Sequence, residues 1–519
     1  MSIADILARA AATFGDRVAV VDGDRSFTYA ELAARSGSLA RALALRGLGR
    51  GERIAILAEN SHEFVEAYFA AAAAAAILVP VNTRLTAREI RRILGDSGAR
   101  ALIVSPPFSD LAQEATGGGP GIEHVLLTGG AGRDGYEAAL AEAPGAYLPS
   151  PVDEDAVAHL YYTSGTTGDP KGVMLTHRNV CVHARWAIDE LGLSARDVWG
   201  HFAPMFHLAD AWATFAITEV GGRHVMCGRF DAGEALSLVE RQRITTSNLI
   251  PTMLAMMCGR DDLAGRDLAS LRVILSGGAP IAIGLVRRIV ERLRCDYVQT
   301  YGMTETSPYL TVSLLAPHLE ALPFEERLRI KARTGRPFGG VELKIVDDDG
   351  SPVPPDDRSV GEILVRGPTV TPGYWNNPVA TAAAFSDGWL RTGDLAVIDA
   401  EGYVNIVDRR KDMILTGGEN VYSTEVESAL FEHPAVLEAA AFGLPDPTWG
   451  EIVAAAIVLA PGTSLDEAGI FEHCKPRLAG FKTPRRVFFV DALPKTGSGK
   501  ISKKELRSMF GGRGEPDAT

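Results

Sequence analysis

Over its first hundred residues the chain alternates two hydrophobic textures. Short β-branched runs predict strands over 53–57, 77–81 and 101–104, and the apolar or amphipathic stretches between them predict helices over 64–74 and 87–95. Such alternation builds βαβ units, so a largely parallel sheet is expected. Gly/Pro-rich stretches at 116–121 and 128–135 read as loops or a hairpin. From Val341 the texture turns to short strands with turn signals, over 341–346 and 362–365 with a turn at 347–350, which predicts a more antiparallel β subdomain. The five-charge run Asp408-Arg409-Arg410-Lys411-Asp412 reads as a solvated connection between domains, with Arg410 facing solvent. After it a compact α+β pattern follows, with helices over 424–431 and 465–474 and strands over 453–459 and 486–490, then a nine-residue tail. The fold class expected is therefore α/β, a large N-terminal domain of parallel-sheet βαβ subdomains plus a β subdomain and a small α+β C-terminal domain.

Composition narrows this picture. At 519 residues the chain exceeds one ordinary core, which calls for at least two domains. A net charge of −13 argues against general affinity for nucleic acid or anionic lipid, so any polyanionic ligand needs local positive charge. Ten basic against three acidic side chains over 471–510 give a local +7, which reads as a solvated helical face unless another feature calls for an anion there. Five scattered cysteines suggest neither a disulfide framework nor a zinc ribbon, and a reducing cytoplasm is expected. The first residues do not read as a signal peptide. The alanine run at 70–76 lies in an apolar stretch of about 15 residues, shorter than a membrane span, and Pro80 closes it, so a buried helix entering a strand is expected.

The candidate chemistry begins at Tyr162-Thr163-Ser164-Gly165-Thr166-Thr167-Gly168-Asp169-Pro170-Lys171-Gly172, after an apolar run over 156–161 that reads as a strand. Glycines let a backbone wrap closely round phosphate oxygens, hydroxyls and amides donate to them, and an ammonium neutralises charge. The stretch reads as a polyphosphate loop. It does not fit G-x-x-x-x-G-K-[ST], because Lys171 follows Pro170 and precedes Gly172.

This loop resembles that of the adenylate-forming superfamily, which includes acyl-CoA synthetases, nonribosomal adenylation domains and beetle luciferases. The resemblance covers nearly the whole chain. Seven further blocks follow in the family's order: Pro204-Met205-Phe206-His207, Ser276-Gly277-Gly278-Ala279-Pro280, Tyr301-Gly302-Met303-Thr304-Glu305, Trp389-Leu390-Arg391-Thr392-Gly393-Asp394, the Asp408–Asp412 charges, Gly417-Gly418-Glu419-Asn420 and Pro494-Lys495-Thr496-Gly497-Ser498-Gly499-Lys500.

The resemblance implies an AMP-forming acid–thiol ligase of the acyl-CoA synthetase branch. ATP, Mg²⁺ and coenzyme A would be its cofactors and co-substrates and a small-molecule carboxylate, fatty or aryl, its substrate. No nucleic acid and no stable membrane insertion are expected, and a homodimer stays open. A stand-alone adenylating enzyme serving a carrier protein, an amine or another nucleophile is the alternative. Two anions must approach each other in the first step, so cations are needed at the point of attack. By resemblance, Lys500 bridges the carboxylate and the α-phosphate, Glu305 binds Mg²⁺, and Thr304 donates to the α-phosphate. Thr163, Ser164, Gly165, Thr166, Thr167, Gly168 and Lys171 cradle the polyphosphate. Tyr301 stacks on adenine against Gly278, Ala279 and Pro280. Asp394 accepts from the ribose hydroxyls, and Arg409 reaches the ribose or the α-phosphate. Lys411 is the hinge between a domain over 1–410 and a mobile one over 411–519, and Gly418 lines a pantetheine tunnel unless it is an ordinary turn glycine. His207 separates the acyl pocket from that tunnel, with a core histidine or a metal ligand shared with His201 as other readings. Pocket positions include Trp212 and residues around Gly277 and Met303. One departure is visible: Ala75 and Ala76 precede the strand at 77 where a glycine is common in the family, a matter of packing.

A Lys500→Ala variant is expected to lose acid-dependent pyrophosphate exchange; adenylate formed at full rate would overturn the role given to this lysine.

Overall fold

Parallel strands with covering helices do form, in a computed structural model that describes residues 1–117, 121–129, 135–164, 170–496 and 501–511. The chain divides into one unit comprising Met1–Leu343 with Val365–Leu390 and a second comprising Lys344–Leu364 with Arg391–Thr519. The first unit contains two large sheets. One runs His124–Leu127, Ala101–Val104, Arg53–Leu57, Ile77–Pro80, Val157–Ser164 and Pro170–Thr176, parallel except for the last pair. The other is parallel through Asp296–Gly302, Val273–Ser276, Thr246–Asn248, Val198–His201, Arg223–Met226 and Val18–Asp22, with antiparallel strands at both edges.

Two helices, His62–Ala73 and Leu208–Val220, lie in the core cluster that both sheets contribute to, where Ile54 and Leu78 of one and Val20, Trp199 and Leu275 of the other are buried. Every residue of His62–Ala73 is buried. Its Tyr68 and Phe69 meet Phe215 of the other helix edge to face at 5.4 and 6.0 Å. Small alanines let that helix sit between layers, which is why the alanine run is interior. Among the described residues no helix is long and apolar enough to cross a membrane.

The helix ends in a Schellman motif: the Ala76 N–H donates to the Ala71 carbonyl at 2.9 Å and the Ala75 N–H to the Ala72 carbonyl at 3.2 Å. Ala75 stands at the position that motif usually gives to glycine, with φ +59°. The departure noted in the sequence is thus a matter of backbone conformation, not packing, because a Cβ in the left-handed region crowds the following carbonyl.

Four sequence expectations are corrected here. The phosphate stretch is not a strand followed by a loop. The strand continues to Ser164 and pairs antiparallel with Pro170–Thr176, Thr163 opposite Lys171, so the stretch is a hairpin whose second strand went unread. Thr116 closes the helix Ser109–Thr116, and part of 116–121 and 128–135 lies outside the described residues. The charged run is not wholly solvated: the strand Val404–Arg409 extends into it, and Asp408 is buried and accepts from the Ser423 N–H. Arg410 does not simply face solvent; it is paired with Asp348 and with the buried carboxylate of Glu362.

In the second unit Asp394–Ile398, the end of the strand Trp389–Ile398, pairs antiparallel with Val404–Arg409. A further sheet orders Glu419–Val421, Ile414–Thr416, Gly450–Leu459 and Val436–Asp446, and Arg486–Phe489 adds to Gly450–Leu459 in parallel. The helix Ser423–Phe431 packs on this sheet through Val426, Ala429 and Leu430.

Ala75→Gly should stabilise the protein by about 0.5–1 kcal/mol, relief of left-handed strain exceeding the entropy lost by glycine. Urea unfolding measures it, and Ala75→Val should shift the midpoint the opposite way.

Candidate active site

The hairpin Val157–Ser164/Pro170–Thr176 is the antiparallel pair at one edge of its sheet. Thr163 and Lys171 lie opposite each other near its tip and are partly exposed, and Ser164 pairs with Pro170. Gly165, Thr166, Thr167 and Gly168 lie outside the described residues. The hairpin is braced from outside by a segment that the sequence analysis did not single out, Thr371-Pro372-Gly373-Tyr374-Trp375. The Met174 N–H donates to the Gly373 carbonyl at 3.1 Å and the Trp375 N–H to the Gly172 carbonyl at 2.7 Å. On its other side the same segment reaches Glu305, whose carbonyl accepts the Thr371 N–H at 2.8 Å. The Tyr374 hydroxyl donates to Glu305 Oε1 at 2.9 Å, and the Lys171 ammonium lies 5.2 Å from the Tyr374 ring centroid. Burial and the adjacent Glu305 carboxylate raise the Tyr374 phenol well above its usual range, so it stays a donor.

Glu305 itself is buried in the short turn Thr304–Thr306 after the strand Asp296–Gly302. Tyr301 lies near the end of that strand, beside the neighbouring parallel strand Val273–Ser276 that delivers Gly277, Gly278, Ala279 and Pro280. The Ala279 carbonyl accepts from Gln299 Nε2 at 3.0 Å. A Cβ on Gly277 would come within 2.5 Å of Thr300 Oγ1, so this close approach requires glycine. The exposed 278–280 backbone and the partly exposed Tyr301 and Thr304 therefore sit at the carboxyl ends of adjacent parallel strands, the place where open α/β sheets take ligands.

His207 occupies the position before the helix Leu208–Val220 without a side-chain capping bond, its ring 4.7 Å from that of Phe206. Asn60 holds the preceding segment, accepting the Met205 N–H at 2.7 Å and donating to the carbonyls of His201 and Ala203 at 2.8 Å. Trp212, one turn on, is buried against Trp199 and Tyr309, 5.0 and 5.2 Å away. Met303 is partly exposed beside Thr304.

The second unit carries the remaining expected positions. Asp394 is buried, opposite Arg409 in the strand register, and its Oδ1 lies 3.2 Å from Arg409 Nε. Such a pair already combines a carboxylate acceptor with a half-exposed guanidinium. Lys411 is exposed in the turn before Ile414–Thr416. Gly417 and Gly418 form the two-residue loop of the next hairpin at φ +59° and +86°. A Cβ on Gly418 would meet nothing within 4 Å, so the primed-turn backbone, not local crowding, demands glycine there. The Gly417 N–H donates to the Trp449 carbonyl at 2.8 Å, and the Arg485 guanidinium lies 4.3 Å above the Trp449 ring. Lys500 lies outside the described residues. Much of the basic run around it is already paired within the unit: Arg477 with Glu432, Lys482 with Glu425, Lys495 with Glu438, Lys503 with Glu427 and Arg507 with Asp412.

Residues 7–375 match the family model of the AMP-binding enzymes, and residues 425–500 match the model of the AMP-binding enzyme C-terminal domain. The chain belongs to the AMP-binding enzyme family. A feruloyl-CoA synthase from an Amycolatopsis species is 40% identical over 95% of this chain and 96% of its own length. The fatty acid–[acyl-carrier-protein] ligase ScoC of Streptomyces coeruleorubidus is 37% identical over 95% of this chain and 93% of its own. The crystal structure of the anthranilate CoA ligase AuaEII in complex with anthranoyl-AMP superposes with a TM-score of 0.89 at 31% identity, covering 98% of this chain and 97% of that one. The protein is an AMP-forming acid–thiol ligase that works through an acyl-adenylate.

Among the described residues of the ligase the histidines do not assemble into a metal centre around His207. His201 Nδ1 is 2.6 Å from Asp210 Oδ2 and its Nε2 is 3.0 Å from His224 Nδ1, while His224 Nε2 meets Thr218 Oγ1 at 3.0 Å. The Trp199 indole N–H completes the group by donating to Asp210 Oδ1 at 3.2 Å. All four of His201, Asp210, His224 and Thr218 are wholly buried. Burial and the neighbouring His201 hold the His224 imidazole well below its usual range, hence neutral. A second cluster, Asp22, His62 and Glu63, has ligand atoms close enough for an ion. Its geometry is that of a helix cap: the Ser61 side chain caps nothing, and Asp22 instead accepts the His62 N–H at 3.1 Å and lies 2.7 Å from Nδ1. A helix N-terminus favours anions over cations.

Two contributors escaped the sequence reading. Tyr374 had a usable signal in the Gly373-Tyr374-Trp375 string, whereas Asp210 had none, since its partners come from strands that the sequence does not align.

Asp210→Asn should destabilise the ligase by about 3 kcal/mol by breaking a buried charge network, measured as a fall in the urea midpoint.

Proposed function

We propose that the ligase activates a hydrophobic carboxylate, aryl or fatty, with ATP and passes it to coenzyme A. The reading rests above all on the Lys171–Tyr374–Glu305 group, in which an ammonium suited to phosphate and a carboxylate suited to Mg²⁺ meet across one phenol ring. Glu305 fits a hard divalent cation: it supplies a carboxylate oxygen, is buried, and is held by a hydroxyl and by main chain. Bound there, Mg²⁺ would screen the charge of the phosphate oxygens. Lys171 with Thr163, Ser164, Gly165, Thr166, Thr167 and Gly168 takes the polyphosphate, and Thr304 donates to the α-phosphate. Tyr301 and the 278–280 backbone hold adenine, while Asp394 and Arg409 hold the ribose. A carboxylate oxygen attacks the α-phosphorus and pyrophosphate leaves, with Lys500 reducing the repulsion between the two anions. In the second step a thiolate attacks the adenylate carbonyl and AMP leaves. We assign the mobile domain to 411–519 with Lys411 as its hinge, the thiol approach to the Gly418 turn, and the gate beside the acyl carbonyl to His207. Five free, buried cysteines fit a reducing cytoplasm.

Coenzyme A is favoured as acceptor by Trp449 and Arg485 beside the Gly417-Gly418 turn, an aromatic and a cation suited to a nucleotide thiol. The ScoC likeness makes a carrier-protein thiol the competing acceptor. Lys482 is a poor candidate for CoA phosphate, because Glu425 engages it at 2.8 Å. Acid-dependent pyrophosphate release, screened over aryl and fatty acids with and without CoA, tests both choices. CoA should raise turnover with an aryl or fatty acid, and Arg485→Glu should lower thioester formation roughly ten-fold while leaving pyrophosphate exchange unchanged. Equal loss of both activities would refute the acceptor site, and release indifferent to CoA would favour the carrier protein.

A further inference from the structure

We propose that Tyr374 is a positioning residue that holds the metal-binding carboxylate and the phosphate-binding ammonium in register before ATP arrives. The inference rests on the roles given to Glu305 and Lys171 above, and adds one that neither the sequence blocks nor the family assignment supplies.

Glu305 and Lys171 come from different sheets, 134 positions apart in the chain, and nothing local fixes their separation. Tyr374 touches both. Its hydroxyl donates to Glu305 Oε1 at 2.9 Å, its ring face lies 5.2 Å from the Lys171 ammonium, and its backbone bridges to Val173. The residue is itself clamped, since its N–H donates to Thr381 Oγ1 at 2.9 Å and both chain neighbours bond the hairpin main chain. A phenol donating to a carboxylate favours the ionised form and fixes the plane of its oxygens, which a metal ligand needs. A ring face attracts an ammonium weakly at a partly exposed site, so it can park the lysine and release it to a phosphate oxygen at little cost.

Tyr374 thus has two separable duties on two different atoms. Tyr374→Phe removes only the hydroxyl, and Tyr374→Leu removes the ring face as well. Mn²⁺ binding to the enzyme–ATP complex, read by electron paramagnetic resonance without turnover, should weaken about ten-fold in Tyr374→Phe, while ATP binding in the absence of divalent metal stays within about two-fold. Tyr374→Leu should weaken metal-free ATP binding as well, by about three-fold, and that extra loss should vanish in a Lys171→Ala background. Glu305→Ala is the control for the underlying site. If it weakens Mn²⁺ binding and Tyr374→Phe does not, the positioning role is refuted and the site assignment stands. If Glu305→Ala itself leaves Mn²⁺ binding unchanged, the metal assignment fails and the proposal with it. A Tyr374→Leu loss that persists without Lys171 overturns the second duty.

Discussion

Main-chain hydrogen bonds from the Thr371–Trp375 segment set the geometry of the first unit's site. The ammonium proposed to bind phosphate and the carboxylate proposed to bind metal would be useful only at a fixed separation, and Lys171 and Glu305 grow from two sheets with separate registers. The segment bonds Gly172 and Met174 on one side and Glu305 on the other, so that the error in placing either group is that of a short, doubly tied segment instead of two whole sheets. Its cost is small because the groups it satisfies are backbone donors and acceptors that need partners in any case. Side chains then refine what the backbone has placed: Thr371 Oγ1 bonds the Met174 carbonyl, and Tyr374 spans the remaining gap.

The sequence made the blocks legible but not their joints. Parallel strands, the buried alanine helix and the α+β character of the C-terminal unit follow from periodicity, because burial on one or two faces writes itself into consecutive residues. The candidate positions at Tyr301 and 278–280 came instead from the family resemblance, since a lone aromatic such as Tyr301 reads as core. Tyr374 was missed because its two partners lie 203 and 69 positions away and a single aromatic carries no spacing. Asp408 was misread for a related reason: five charges in a row look solvated, yet the strand holding Asp408 turns that one side chain toward the buried Ser423 amide. The phosphate hairpin shows the converse, a second strand hidden because Pro170 and Gly172 resemble turn residues until pairing with Val157–Ser164 is seen.

Charge in the second unit follows a pattern that net charge conceals. The basic run over 471–510 read as a solvated face, and Glu425, Glu427, Glu432, Glu438 and Asp412 engage five of its residues, with Lys503 reaching Glu427 although burial raises that carboxyl's affinity for its proton. The more exposed of these pairs, Arg477–Glu432, Lys482–Glu425 and Lys495–Glu438, add little stability, so their main effect is to remove indiscriminate attraction for polyanions. What remains for a specific nucleotide is then defined by geometry, as with Arg485 held against Trp449 beside a two-glycine turn.

The buried Asp210–His201–His224 group looks expensive for a core that could have been filled with aliphatic side chains. Hydrogen-bonded charge in an interior rarely exceeds a well-packed apolar replacement in stability, so its value must lie in what it specifies. It fixes one helix against two strands through directional bonds: Asp210 sits in the first turn of Leu208–Val220, while His201 and His224 come from neighbouring strands. Apolar contacts allow a helix to slide or rotate by a fraction of an ångström, whereas bonds of 2.6 and 3.0 Å to a single carboxylate and a single imidazole do not. The residue immediately before that turn is His207, whose carbonyl accepts the Asp210 N–H, so a wholly buried network determines where the residue proposed as the acyl gate is held.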